Sequence, residues 1–272
     1  MILNARAAAI LDAEYLSGDY ASLHSAYSET GANELTGGTY AWQPITYAAA
    51  SAATRSKATG AALVYAVPAS STVAFVSTWA PLGASAVTGA TCSFATNVMT
   101  CTVAGTGSFA VGQVVSAAGV AAGTRIASLG TGAGGTGTYN LSTTPSTIAA
   151  EATTAYTPTL KSVHANGADA KSFQVDLTNN KILCEGLGVA DGDRIAFFGT
   201  ALPTGITAGA LLYVVGTVLG DPDTCQVALT SGGAAIDLTT SSPSADAACT
   251  KVFVDAYASG GTHTVSSITQ RI

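Results

Sequence analysis

After Leu16 no apolar run keeps helical spacing. Hydrophobic side chains come instead in short runs, at 45–47, 61–67, 73–79, 111–115, 195–198, 211–215 and 251–254, which recur between clusters of Gly, Pro, Asn, Ser and Thr. Many of these runs are β-branched or aromatic, which is the composition of half-buried strands. Their recurrence over more than two hundred residues predicts an all-β architecture. The one helical pattern is at 4–16, where Ala7, Ala8, Ile10, Leu11, Tyr15 and Leu16 can share a broad apolar face and Gly18 stands where a helix stops.

Charge narrows the reading further. Only 10% of the residues are charged, against about 25% in an ordinary globular protein. A membrane helix needs roughly 18 consecutive apolar residues, and even the charge-free stretch 58–124 is broken repeatedly by Ser, Thr, Gly and Pro. The expectation is therefore a soluble chain without membrane insertion. A net charge of −6 with only 10 Lys and Arg lacks the basic footprint that phosphate binding requires, so no nucleic-acid partner is expected. Mean hydropathy is positive, +0.39, but much of it comes from Ala, which buries little area. Sister subunits would supply the missing burial, and the expectation is an assembly component. No cleavable leader is read at the N-terminus, so synthesis is expected in the cytoplasm.

The centre of the chain reads as a duplication. Asn97-Val98-Met99-Thr100-Cys101, Gly112-Gln113-Val114-Val115, Ala122-Gly123-Thr124-Arg125-Ile126 and Thr138-Tyr139-Asn140-Leu141 recur in order as Asn180-Lys181-Ile182-Leu183-Cys184, Gly192-Asp193-Arg194-Ile195, Ala208-Gly209-Ala210-Leu211-Leu212 and Cys225-Gln226-Val227-Ala228-Leu229. Each copy is expected to open with a hairpin turning near Asn97 or Asn179-Asn180, and both copies to share one strand order. A two-residue turn at Thr96-Asn97 sets Cys92 opposite Cys101. The predicted organisation is a β-sandwich or jelly-roll-like base domain with a short N-terminal helix and two inserted small β modules. Its N-terminal part is 1–84, the modules are 85–158 and 159–250, and the strands of 251–272 complete the base. Insertion at exposed loops adds little closure entropy.

Residues that carry chemistry elsewhere read here as structural. Two carboxylates across a cleft would suit a glycosidase, but Glu29 with Glu34 and Asp191 with Asp193 lie in predicted turns. Asp191-Gly192-Asp193 and Asp221-Pro222-Asp223 do not continue into a calcium-ligand series, and Gly130 to Gly137 lack the Lys-Ser/Thr ending of a phosphate loop and read as a hairpin tip. No G-x-S-x-G elbow occurs. His24, His164 and His263 are far apart in sequence, and His24 reads as a packed, hydrogen-bonded histidine. Trp42, Trp79, Tyr40 and Tyr47 could form a sugar platform, and read more simply as core or interface residues. Cys92, Cys101, Cys184, Cys225 and Cys249 read as free buried thiols. No catalytic, cofactor-binding or metal-binding residue is assigned, and no cofactor is expected.

Tyr20-Ala21-Ser22-Leu23-His24, Asn33-Glu34-Leu35-Thr36-Gly37-Gly38-Thr39-Tyr40-Ala41 and Pro44-Ile45-Thr46-Tyr47-Ala48-Ala49-Ala50 together resemble the opening of a family of tailed-bacteriophage virion proteins, often labelled tail fibre proteins. The segment 73–81, with Trp79 at its aromatic position, and Tyr257-Ala258-Ser259-Gly260-Gly261-Thr262-His263-Thr264-Val265 are similar to later strands of that family. The modules resemble Gly/Thr-rich β modules of phage fibres. Trp42 stands where the family often has a basic residue. The resemblance implies a non-enzymatic structural protein on the surface of a virion, as a fibre component or a capsid decoration protein, with sister subunits in a homotrimer and other virion proteins as partners. The alternative is an adhesin that binds host-surface glycan through module tips. The composition also permits a bacterial surface-layer subunit, but the absence of a readable secretion signal and of calcium repeats weighs against it.

Overall fold

The computed structural model describes residues 2–16, 18–80, 83–167, 170–217, 221, 223–239, 243, 244 and 246–271. The chain is all-β apart from a short N-terminal helix, Ile2–Glu14. Ala7, Ala8 and Leu11 of this helix are buried, whereas Ile10 and Leu16 are 52% and 54% exposed. The broad apolar face expected from sequence is therefore narrower. At about 100° per residue, positions 7, 8, 11 and 15 fall within an arc of about 100°, and Ile10 and Leu16 fall outside it.

The base has two layers. One is an antiparallel sheet in the order Thr159–Ala165, Phe75–Ala80, Tyr20–His24, Gln43–Pro44. The other consists of three two-stranded ladders in which the end of the chain runs back along its beginning. Asp255–Tyr257 pairs with Ser71–Val73, Gly261–Val265 with Leu63–Val67, and Thr269–Arg271 with Ser56–Ala58. Between the layers lie Leu23, Tyr40, Ile45, Tyr47, Tyr65, Val76 and Ile268. The apolar run at 73–79 divides at Ala74: its N–H donates to the His24 carbonyl and its carbonyl accepts from Asn166, and the chain passes there from a ladder to the sheet. Of that run's reading as one strand to Pro81, Pro81 lies outside the described residues. Thr159–Ala165, placed at the start of the second module by the sequence reading, hydrogen-bonds to Phe75–Ala80 in the base sheet.

Each module closes on itself. In the first, Ser85–Ala95 and Val98–Val103 form the opening hairpin, and Gly137–Leu141, Ile126–Leu129, Val114–Ser116 and Ile148–Tyr156 follow round the ring. Val114 bridges to Arg125, with Val115 N–H on Thr124 O, and this joins the last gap. In the second, Gln174–Asp176 pairs with Lys181–Leu183, and Thr224–Ala228, Leu212–Val215, Arg194–Phe198 and Ala248–Val252 follow. Lys171–Ser172, one residue before Gln174, then pairs with Ala248–Val252 and completes the circuit. With Thr106–Gly107, which pairs with Ser85–Ala95 beyond Val103, counted with Val98–Val103, and Lys171–Ser172 with Gln174–Asp176, as one interrupted strand each, both modules run 1-2-5-4-3-6 and back to 1. The shared order predicted from the repeated segments is what the structure has.

Local detail repeats as well. Gly112 and Gly192 have φ of +89° and +91°. The side chains of Gln113 and Asp193 each accept the N–H three residues earlier, of Ala110 at 3.0 Å and Ala190 at 2.7 Å. Each ring has its own core, around Phe94, Met99, Ile126 and Tyr139 in one and Phe173, Ile182, Ile195 and Phe197 in the other. Cys92 is paired directly with Cys101, as the two-residue turn requires, although the residue with positive φ is Thr96 (+55°). The turn depends on position rather than on the asparagine. In the second module Asn180 does take the left-handed conformation, with φ of +53°.

Candidate functional site

The residues with the most specific geometry lie on the seams that join the modules to the base. Module one grows from a stem. The Ala80–Thr159 pair of the base sheet is followed by Ser85–Tyr156 in the module, with Thr157 N–H bonded to Ala84 O at 3.0 Å between them. Beside the stem, Val114 joins Tyr20, Trp42 and Trp79 in one buried cluster. The indoles stack at 5.2 Å, and at 5% and 7% exposure they are seam residues, closed to use as a sugar platform. Tyr40 and Tyr47 are likewise buried, in the base core.

Arg125 crosses the seam. Its guanidinium lies 4.3 Å from the Trp42 ring and holds the Glu34 carboxylate with both terminal nitrogens, one at 2.7 Å. The Trp42 indole N–H donates to the same carboxylate at 2.7 Å. Burial pushes the Glu34 pKa up, while the Arg125 charge and the indole draw it back. The cation over the Trp42 indole therefore comes from the module and its counter-ion from the base.

Trp79 continues the network downward. Its indole N–H donates to Ser22 Oγ at 2.7 Å, and Ser22 Oγ lies 2.8 Å from His24 Nε2. With one hydroxyl proton to give, Ser22 donates to Nε2, so His24 carries its own proton on Nδ1 and donates it to Ala32 O at 3.0 Å. Burial holds the His24 pKa down to about 4. His24 is the packed, hydrogen-bonded histidine that the sequence suggested.

Module two stands on a second stem. Gly167 bridges to Val252, Phe253 N–H donates to Asn166 O at 2.6 Å, and Asn166 Nδ2 reaches Phe253 O and Asp255 Oδ2 at 3.0 and 2.9 Å. Its seam is apolar: Ala196 and Val252 of the module meet Ala74 and Phe75 of the base, flanked by Tyr27, Phe198 and Leu211. Both modules also press the same glycine onto a base tyrosine. A Cβ on Gly123 would stand 2.7 Å from the Tyr20 ring, and one on Gly209 would stand 2.1 Å from that of Tyr27.

The carboxylates considered for catalysis are used separately. Glu34 is in the seam, and Glu29 accepts the Tyr27 hydroxyl at 3.1 Å. Asp191 accepts Thr217 N–H at 2.9 Å, and Asp193 pairs with Lys251 at 2.6 Å. Asp221 accepts the N–H of Asp223 at 3.2 Å, and the Pro222 between them lies outside the described residues. No group of three or more potential metal ligands gathers among the described residues. The Gly130–Gly137 run is a hairpin tip folded onto Tyr139, whose hydroxyl donates to Gly135 O at 2.7 Å. All five cysteines are free and buried.

The sequence reading passed over Arg125, which had one available signal: it is the sole charged residue between Lys57 and Glu151. Buried as it is at the seam, this lone cation needs a buried counter-ion. No helix among the described residues is long and apolar enough to cross a membrane. No family, curated protein or solved structure that was compared matches this chain.

Proposed function

We propose that the chain is a non-enzymatic structural protein of a tailed-bacteriophage particle, displayed on its surface, whose base docks to the particle and to sister subunits while the two modules project. The observation that supports the reading most is where the motif residues lie. Tyr20, Ser22, His24, Glu34 and Tyr40, which carry the resemblance to phage virion proteins, lie in the base, and all but Tyr40 form the seam beneath module one. In this reading those residues form the mounting, and the stems hold what is mounted.

Mass-spectrometric copy number in purified particles tests this. Hundreds of copies assign a capsid decoration protein, a few to tens assign a fibre component, and absence from the particle overturns the proposal. The proposed homotrimer gives a mass of about 80 kDa, three times 26.8 kDa, by light scattering of the isolated protein.

A further inference from the structure

Module two keeps three thiols in its core, those of Cys184, Cys225 and Cys249. Cys184 follows directly on Lys181–Leu183, and Cys249 lies in Ala248–Val252. Those two strands stand on either side of the interrupted first strand of the ring, where Gln174 pairs with Leu183 and Lys171 with Cys249. The backbone of Cys184 is fixed, its N–H donating to Asp223 O at 2.8 Å and its carbonyl accepting from Leu187 at 3.1 Å. Its sulfur accepts a hydrogen bond from the Cys249 thiol. Cys184 also stands on the wall of a cavity of about 500 Å³ with Gln174, Leu183 and Asp223, whereas Cys249 is fully buried and is not on that wall. Lys171 is close by, its Nζ donating at 2.7 Å to Gly186 O on the turn that follows Cys184.

We infer that Cys184 and Cys249 form a redox dithiol, a modification site that meets a low-molecular-weight disulfide at the cavity and ends as an intramolecular disulfide bond. Cys184 is the attacking sulfur. The hydrogen bond from Cys249 holds its pKa below the ordinary thiol value, with Lys171 helping and burial and Asp223 opposing, while the same contact pushes Cys249 up. The Cys184 thiolate attacks one sulfur of the reagent R–S–S–R. That S–S bond breaks, a mixed disulfide forms on Cys184, and the R–S⁻ that leaves takes a proton from water. Cys249 then gives its proton to water and attacks Cys184 Sγ, forming the Cys184–Cys249 bond and expelling the second R–S⁻. Two electrons pass from the paired thiols to the reagent, which departs as two thiols. The new bond ties together the strands on either side of the interrupted one, so the ring is held covalently where its ladder breaks between Ser172 and Gln174. Cys92 and Cys101 are the contrast within the same chain. They face each other across a ladder in module one, but burial, with Cys101 adding to it, pushes the Cys92 thiol up to about 12, which leaves that sulfur protonated near neutral pH. The site is a property of the isolated chain, independent of whether the chain belongs to a phage particle.

The test uses the full chain, reduced, desalted and incubated folded with 2-hydroxyethyl disulfide near neutral pH. It is then unfolded in N-ethylmaleimide, which marks every thiol still free. Peptide mass spectrometry is expected to find Cys184 linked to Cys249, with Cys92, Cys101 and Cys225 marked. Cys184 is expected to be consumed about tenfold faster than Cys92. The thermal midpoint should rise on oxidation and return on addition of dithiothreitol. Cys249→Ala is expected to stop at the mixed disulfide on Cys184, and Cys184→Ala to leave Cys249 free. If Cys184 and Cys249 are both marked in the folded parent, under conditions that oxidise the same chain in urea, the inference is overturned. A bond between Cys184 and Cys225 overturns it too, since that assigns the site to the other core thiol. So does consumption of Cys92 as fast as that of Cys184, which removes the cavity and Lys171 from the account.

Discussion

Module one meets the base through a buried ion pair and two stacked indoles, and module two meets it through an apolar cluster around Phe75 and Tyr27. An apolar seam is non-directional, and its stability follows the area removed from water. A buried ion pair is directional: a small rotation leaves charges desolvated and unmatched. The base therefore fixes the pose of module one through Arg125 and Glu34, whereas the pose of module two rests on its stem and on Gly209 against Tyr27. One fold, mounted twice, shows that the fold of a module does not dictate how it is held.

The largest expected effect comes from breaking the polar seam. Arg125→Met leaves the Glu34 carboxylate buried and unpaired and is expected to cost about 3 to 5 kcal/mol in denaturant unfolding. Arg125→Met with Glu34→Gln is expected to recover most of that loss, because no charge is then stranded. A double variant as unstable as the single one would show that packing, rather than charge, holds the seam.

Acid should strike the same seam. His24 is held neutral, with its pKa lowered from about 6.5 to about 4, so between those values the unfolded chain binds a proton that the folded chain refuses. Its contribution to stability is complete above pH 6.5 and is lost as pH falls towards 4, by about 3 kcal/mol. Denaturation midpoints measured across that window check the sign. Hydrogen exchange should show protection falling around Tyr20–His24 before it falls in the core of module two.

Smaller effects separate contact from backbone conformation. Gly123→Ala and Gly209→Ala add a methyl against a tyrosine ring at positive φ, and each is expected to cost about 1 to 3 kcal/mol. Gly112→Ala and Gly192→Ala share the positive φ but have no atom within 4 Å of the added carbon, so about 1 kcal/mol is expected. Equal costs in both pairs would remove the tyrosine contact from the account. Asp191→Asn, at an exposed turn, is expected to stay within about 0.5 kcal/mol of the parent in the same assay.

Much of the fold was legible because it is local. Short apolar runs between turn residues marked the strands, and the repeated Gly112 and Gly192 turns marked the duplication before any pairing was known. Counting from Thr96-Asn97 placed Cys92 opposite Cys101. The seams were not legible in this way, because Arg125 meets Glu34 from 91 residues away and nothing in either neighbourhood names the other. Thr159–Ala165 has the composition of any module strand, and only its ladder with Phe75–Ala80 assigns it to the base. Closure of the first ring likewise rests on pairing between 112–115 and 124–126, around the Val114 to Arg125 bridge, which no local pattern announces.

That closure bears on how so neutral a chain can be crowded. A strand at an open border presents a row of unpaired N–H and C=O groups, a template for a neighbour's strand, and proteins usually guard it with lysines or prolines. This chain has only 10 Lys and Arg to spend over 272 residues. In each module the last strand instead returns to the first, and among the described residues no long border is left to recruit another copy. In the arrangement proposed above, projecting modules of this kind would stand side by side at high local concentration without knitting into sheets, and contacts between copies would be left to the base.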